Sequence, residues 1–367
     1  MKAPITMDTR HIFEDLFVLE LANNHWGRLE RGLEIVADFS RIVRAHGVKA
    51  AIKLQFRDVD NFIHEDYRQN QEIRYVKKTR ETRLSREDRA ALVEAIRHGG
   101  CIPMATPFDE VSVDQCVELD IDIIKIASSD IADRTLIEKI AATRRPAIAS
   151  TGGASLQNID DLVEFFARRH IPLAINHCVS LYPTEDHELE LNQIDFLKNR
   201  YPGHVIGFST HEHRDWHTSI AIAYAKGART FERHIDIEAD GIAVSPYCSL
   251  PRQIDEWFGA YKKAAAMCGA PGTQKRIPPE REIHYLDTLA RGVYARKKLA
   301  KGSKLTDGDN IYFAIPLRKG QISCRELMHG EILSRDIEAG MPVMIDDIDS
   351  PYSGNRELQA HLSQRGI

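Results

Sequence analysis

Two short apolar runs in this 367-residue chain end on histidine: HVIGFSTHEH, residues 204 to 213, carries His211, and TFERHID, residues 230 to 236, carries His234. Each puts an imidazole where a buried strand meets solvent. Two such ends on adjacent strands can hold Mn²⁺ or a similar divalent ion and leave positions for water and a substrate carbonyl. Two protein ligands make a weak site, so a carboxylate or substrate oxygens would have to complete it. Taken singly, each histidine is better explained as a hydrogen-bonded rim residue.

The lysines are sharper. Lys53 in AIKLQ and Lys125 in IIKIAS sit inside apolar runs, where an ammonium is costly to bury unless it meets an anion. A pair of them suggests a dianionic ligand, a phosphate or carboxylate. The competing reading neutralises each lysine with an internal carboxylate. STGG, residues 150 to 153, lies between a strand and a helix starting near SLQNIDD, with backbone N–H groups that can approach an anion. Ser and Gly at such a turn also serve capping alone. The carboxylates available for proton chemistry are Glu20, Asp130 and Glu232. Close to two lysines, Glu20 is expected to stay ionised and to accept a proton or orient a water, and Glu232 has a structural alternative in Arg233 or a lysine.

Eight β-rich apolar runs, at 17–22, 50–56, 101–107, 121–128, 147–151, 173–179, 204–210 and 230–236, alternate with amphipathic stretches. Eight βα units in series predict an α/β fold, a (β/α)₈ TIM barrel, with an open flavodoxin-like sheet as the weaker option because strands would be left over. Polar residues fall at the C-terminal ends of these runs: Glu20, Lys53 and Gln55, Thr106, Lys125 and Ser128, Ser150, His177 and Ser180, Ser209 and His211, and His234. In a TIM barrel that end is the active face. A charged insertion at 57–88 separates the second and third strands and reads either as a lid or as a solvated helical loop. Residues 1–269 then form the barrel domain. The stretch 270–284, dense in Pro, Gly and charge, reads as a linker, and 285–367 as a small β-rich module with KG and AG turns.

Composition narrows the function classes. Hydrophobic residues make up 43% of the chain, enough for a large core, and a net charge of -5 with pI near 6.4 argues against a general nucleic-acid binder. The N-terminal stretch lacks the apolar core of a signal peptide and no run of about 18 apolar residues occurs, so the expectation is a cytoplasmic protein without a membrane partner. Six cysteines, scattered without CxxC pairs, read as reduced thiols.

Taken in order, ELANNH, AIKLQ, TPFDEVSVD, KIASSDI, STGG, NHCVSLYPT, GFSTHE and FERHID resemble motifs of the N-acetylneuraminate (sialic acid) synthase family, and the C-terminal module resembles its antifreeze-like (SAF) domain. The resemblance implies condensation of phosphoenolpyruvate with the open-chain aldehyde of an N-acylhexosamine, giving a nonulosonic acid and phosphate. It implies that His211 and His234 hold a divalent metal, Mn²⁺ foremost with Mg²⁺ or Co²⁺ as alternatives. Phosphoenolpyruvate would meet Lys53, Lys125, Thr106, Ser128, Ser150, Ser180 and Ser209. Gln55 and Tyr182 would face the sugar, Asp130 would join the substrate-binding set, and Glu20 would serve the water or the tetrahedral intermediate. A domain-swapped homodimer is also implied.

The departures from the family lie on the acceptor side. GIAVSPYCS puts Ser245 where the family has an aspartate that reaches the sugar. FAIPLRKG replaces the family's KRPG, so Arg318 stands shifted from the arginine that crosses the dimer. The acceptor therefore stays open, and two alternatives remain: a non-catalytic sugar-acid binder on the same scaffold, and a synthase using a different aldose, such as a phosphorylated one.

Overall fold

Strands that are buried on both faces can only belong to a sheet covered on both sides, and nearly every residue of the eight runs is buried. In the computed structural model, which describes residues 9–270, 272–327, 330–351 and 353–367, they form a closed parallel barrel in sequence order, with the last strand paired to the first. The strands are β1 (Leu16–Ala22), β2 (Lys49–Phe56), β3 (Ile102–Pro107), β4 (Ile123–Ile126), β5 (Ala147–Ser150), β6 (Leu173–Cys178), β7 (Val205–Thr210) and β8 (Thr230–His234). The TIM barrel is thus the observed architecture.

The connecting helices are α1 (Leu29–His46), α2 (Val59–Phe62), α3 (Arg74–Glu81), α4 (Arg86–His98), α5 (Glu110–Glu118), α6 (Arg134–Ala142), α7 (Leu156–Arg168), α8 (Asn192–Arg200), α9 (Thr218–Lys226) and α10 (Pro251–Cys268). Local chemistry sets their starts. Ser85 and Ser155 open α4 and α7 with capping boxes to Asp88 and Asn158, Asp109 caps α5, and Pro251 takes the first turn of α10. On α10, Trp257 and Phe258 meet Phe17 of β1 edge-on at 5.2 and 4.7 Å, while Phe17 stacks on Phe231 of β8 at 5.4 Å. That aromatic cluster covers the seam where the barrel closes.

Strand alternation divides the barrel into two cores and a site. Outward residues such as Phe17, Leu19, Ile52, Ile124, Ala149, Ile175, Phe208 and Phe231 join the layer between strands and helices. Inward residues near the strand starts, Leu16, Val18, Ala51, Met104, Ile123, Ile148, Ala174 and Val205, plug the barrel floor. Two residues further along each strand, the same inward parity brings Glu20, Lys53, Thr106, Lys125, Ser150, Asn176 and Glu232 to the next layer. At that height Gly207 is required. A Cβ there would lie 1.8 Å from Thr230 Oγ1 and 2.3 Å from Asn176 Oδ1, groups that hydrogen-bond to each other across its position.

The chain divides into two compact units, Met1–Gly269 and Ala270–Ile367. Where the stretch 270–284 reads as a linker, a helix α11 (Glu280–Thr288) starts inside it. Pro279 precedes its first turn and Glu280 and Glu282 lie within it, favourable neighbours for the positive end of a helix. The second unit continues with β9 (Gly292–Ala295) paired to β10 (Ile311–Ala314), β11 (Ile332–Leu333) paired to β12 (Ile348–Asp349), and a closing α12 (Arg356–Gln364) that the β-rich reading does not include. The KG and AG turns hold Gly302, Gly320 and Gly340 at φ of 83, 77 and 78°. Val293, Leu305, Ile311, Ile322, Val343 and Leu362 belong to its separate core. No helix among the described residues is long and apolar enough to cross a membrane.

Candidate active site

Because inward parity repeats around the barrel, polar residues remote in sequence converge at the C-terminal mouth. Glu20, Lys53, Gln55, Thr106, Lys125, Ser150, Ser209, Glu232 and His234 from the strands, with Ser128, Ser180, Tyr182 and His211 from the loops after them, line one cavity of about 670 Å³. The register puts Glu20 beside both Lys53 and His234, and Ser209 beside Glu232.

Four buried charges form its floor. Lys53 Nζ lies 2.6 Å from Glu20 and 3.1 Å from Glu232, and Lys125 Nζ lies 2.6 Å from the other oxygen of Glu232. Lys53 also approaches Thr106 Oγ1 at 3.3 Å, and Gln55 Nε2 donates to Glu20 at 2.8 Å. Each lysine does have an internal carboxylate, as the competing reading held. The central one is Glu232, which sequence reasoning left as a secondary candidate. Its two-residue offset from His234 was the available signal, since both then face inward while Arg233 turns outward to Glu212 at 2.7 Å.

Burial and charge drive the two carboxylates apart. Burial alone would raise Glu232, but Lys125 and Lys53 together outweigh it and hold this carboxyl well below its usual range. Glu20 goes the other way: burial raises it, Lys53 opposes, and the Glu232 carboxylate adds to the rise. The two carboxylates differ because they share Lys53 while Glu232 also meets Lys125. Burial lowers Lys125, which has one carboxylate, whereas Lys53 with two is raised against the effect of burial.

Facing this floor is a cradle lined by hydroxyls. The Ser150 hydroxyl is buried without a hydrogen-bond partner, and Gly152 N–H donates to Ser128 Oγ at 3.1 Å. A Cβ on Gly152 would stand 2.1 Å from Ser180 Oγ and 2.9 Å from Ser128 Oγ. Glycine therefore keeps the turn open for the three hydroxyls, which suits an anion.

The histidines stand together on the β7–β8 side, ring centroids 5.3 Å apart. His211 Nδ1 donates to the Val179 carbonyl at 2.9 Å, which leaves its Nε2 lone pair free. Burial lowers His211 to about 4 and His234 well below its ordinary value, so both rings are neutral at pH 7 and chemically fit to ligate a metal. Tyr182 packs on His211 at 4.0 Å and Tyr247 on His234 at 5.2 Å. Among the described residues no group of three or more His, Cys, Asp or Glu is placed to hold an ion. Glu232 is committed to the lysines, so substrate oxygens or water would have to complete a two-imidazole site.

Other expected residues lie elsewhere. His177 shares the strand-end position of His211 but has outward parity, and its Nε2 meets the Leu189 carbonyl at 2.7 Å. Asp130 and Ser245 are outside the cavity lining, and Tyr247 is the residue of the loop after β8 that lines it. Arg318 belongs to the second unit, where its N–H donates to Gln321 at 2.8 Å. The 57–88 insertion is more than a solvated loop: Arg57, Tyr75, Lys78 and Thr79 line the cavity. Arg57 continues the inward series of Lys53 and Gln55 just past β2, whereas Tyr75, Lys78 and Thr79 arrive on α3 and nothing in their local sequence marks them.

The chain is similar to known proteins in sequence and in fold. The NeuB family matches residues 42–270. A crystal structure of a protein described as spore coat polysaccharide biosynthesis protein E, from Chromobacterium violaceum, is 37% identical and superposes with a TM-score of 0.87 over 92% of this chain and 100% of its own. A sialic acid synthetase from Leptospira borgpetersenii, crystallised with citrate, is 25% identical with a TM-score of 0.65 over 74% of this chain and 91% of its own. The pseudaminic acid synthase of Campylobacter jejuni is 26% identical over 337 residues, 88% of this chain and 93% of its own.

Proposed function

The chain belongs to the NeuB family and is a phosphoenolpyruvate-dependent synthase of the sialic-acid type, a carbon–carbon bond-forming transferase; from that premise we propose that it joins phosphoenolpyruvate to the open-chain aldehyde of an N-acylhexosamine-type sugar, giving a nonulosonic acid and phosphate. One observation carries this reading. A single cavity opposes two buried lysines and an open serine-glycine cradle to a pair of neutral histidines, an anion site beside an electrophile site.

In the proposed reaction, C3 of the enol phosphate bonds to the aldehyde carbon, whose oxygen gains a proton. Water adds at C2, and phosphate leaves from the resulting tetrahedral centre. Lys53 and Lys125 receive the carboxylate and phosphate of phosphoenolpyruvate together with Ser128, Ser150, Ser180, Thr106 and Ser209. The lysines are already fixed by Glu20 and Glu232, so little reorganisation is needed when the anion enters. Glu20, raised by burial and held by Gln55, suits the holding and passing of a proton at the attacking water. His211 and His234 would hold a divalent ion, Mn²⁺ foremost, which when bound supplies Lewis-acid polarisation of the aldehyde oxygen. Homodimer formation, with the second unit acting as an antifreeze-like domain, belongs to the same proposal and is checked by sedimentation.

The test is direct. Full-length protein with Mn²⁺ and phosphoenolpyruvate is offered a panel of N-acylhexosamines and unsubstituted aldoses, with phosphate release and product mass as readouts. Release coupled to a new carbon–carbon bond is expected with at least one acceptor. No phosphate release with any of them overturns the proposal.

A further inference from the structure

The cavity holds more positive charge than its own carboxylates balance. Glu20 and Glu232 are the acidic residues of the lining, and they offset Lys53 and Lys125. Arg57 and Lys78 add two cations to the lining, and among the described residues neither comes within 4 Å of a carboxylate oxygen, Asp130 and Asp236 acting on them only from farther off. Arg57 is 7% exposed. Its guanidinium stacks over Phe108 at 3.6 Å, donates through Nε to Tyr75 at 3.1 Å and through one terminal nitrogen to Gln55 at 3.0 Å. Arg89 fixes its backbone carbonyl at 3.0 Å. Lys78 is half-buried on α3, with its ammonium 5.9 Å from the Trp26 ring. A buried guanidinium held this firmly, beside an ammonium without a carboxylate, has the charge of an anion subsite.

The barrel order separates this pair from the serine wall of the phosphoenolpyruvate site, while Lys53 and Thr106 of that site lie nearer, on β2 and β3. Ser128 and Ser180 follow β4 and β6, and Ser150 ends β5, on the wall opposite β1. Arg57 follows β2, and Lys78 approaches Trp26, which follows β1. His211 follows β7 and His234 ends β8, the strand paired to β1. For an aldehyde placed at the histidines, β1 and β2 lie on the side away from that serine wall.

We propose that Arg57 and Lys78 form an anion subsite for the acceptor, so that the sugar taken by this chain bears a carboxylate or a phosphate on the part remote from its aldehyde. The proposal rests on the synthase reading and adds the charge class of the second substrate. Arg57 also orients Gln55, and through it Glu20, which ties acceptor charge to the proton-handling group.

The decisive experiment has a binding arm and a turnover arm, both with the full-length protein. In the first, protein saturated with phosphoenolpyruvate and free of metal is titrated calorimetrically with a hexose 6-phosphate, a hexuronate and the neutral hexose. One of the two anions is expected to bind roughly tenfold or more tighter than the neutral sugar, and which one does so identifies the group. Lys78→Met should abolish that preference and leave phosphoenolpyruvate affinity within about twofold, while Arg57→Lys, which keeps the charge, should retain most of it. Equal binding of neutral and charged sugars overturns the subsite. So does a Lys78→Met variant that loses affinity for phosphoenolpyruvate instead, because the cations would then serve the first substrate. In the turnover arm, charge-selective binding without phosphate release would sink the synthase reading alone. Equal kcat/KM for neutral and charged acceptors would sink the subsite alone.

Discussion

Replacing Glu232 by glutamine tests the electrostatic core of the site. Glu232 is 5% exposed and, among the described residues, is the one carboxylate in contact with Lys125, while it shares Lys53 with Glu20. Glutamine keeps the volume and removes the charge, so Lys125, already lowered by burial, loses the carboxylate that opposes that lowering. Breaking one member of a buried ion pair costs about 3–5 kcal/mol, because the surviving charge stays buried. For a unit of this size each kcal/mol moves the melting temperature by about 2–4 °C, which gives a fall of roughly 6–20 °C. Thermal unfolding of wild type and Glu232→Gln at pH 7, with and without inorganic phosphate, reads the effect. Phosphate should stabilise the variant more than the wild type, because it supplies the missing negative charge. A saturating ligand at about 100 times its Kd returns on the order of 2.7 kcal/mol. A variant that melts with the wild type, or one that phosphate stabilises no more than the wild type, would refute the view that these lysines are balanced by Glu232 and addressed to an anion.

Gly152→Ala should raise KM for phosphoenolpyruvate roughly tenfold or more, since its methyl displaces the Ser180 and Ser128 hydroxyls from the cradle, while the fold stays intact by circular dichroism. Unchanged KM would remove the cradle from the phosphate site. His211→Ala and His234→Ala should each lose Mn²⁺ binding in a direct titration followed by electron paramagnetic resonance, whereas His177→Gln, altered at an outward-facing ring, should retain it. In the second unit, Glu326 accepts both terminal nitrogens of Arg365 at 2.7 Å. Burial opposes it, but the hydrogen bonds from Arg365 and Ser323 prevail and hold its carboxyl at about 2. A depressed carboxyl contributes stability that is present above the unfolded value of 4.5 and lost as pH falls through about 2. That contribution, reduced by partial solvent contact, is about 1–3 kcal/mol. Hydrogen exchange over residues 292–349 should therefore be faster in Glu326→Gln than in wild type at pH 6, with the two converging near pH 2; equal exchange at pH 6 would count against the pair.

Much of the scaffold can be read in the chain, because the determinants are local. An apolar run interrupted by lysine at the fourth residue of AAIKLQF or the fifth of IDIIKIAS is costly unless the charged position faces a polar interior. Period-two alternation then assigns Lys53, Lys125, Glu20 and Ser150 to one side of their strands before any partner is known. Eight such runs in series with helices between them leave a barrel as the natural closure, and the polar ends must gather at its mouth. The Ser-Thr-Gly-Gly turn and the capped helix after it are equally local. So is the departure of the loop around Ser245 from the family pattern, although the cavity is reached there by Tyr247 and not by Ser245.

Partnership was decided only by the tertiary structure. His177 and His211 look alike in sequence, each near the end of an apolar run, yet parity relative to the barrel axis sends one to the Leu189 carbonyl and the other to the metal-competent pair. Glu232 could be assigned to Arg233 or to a lysine until closure of β8 against β1 brought it between Lys53 and Lys125, 107 residues distant in the second case. Lys78 shows nothing locally beyond a charged loop, and α3 must bring it to the cavity before it becomes a cavity cation. A strand pattern sets which way a side chain points, through steric rules that act within a few residues. What that side chain meets, and so its charge state, depends on which strands close the barrel and what passes over its rim.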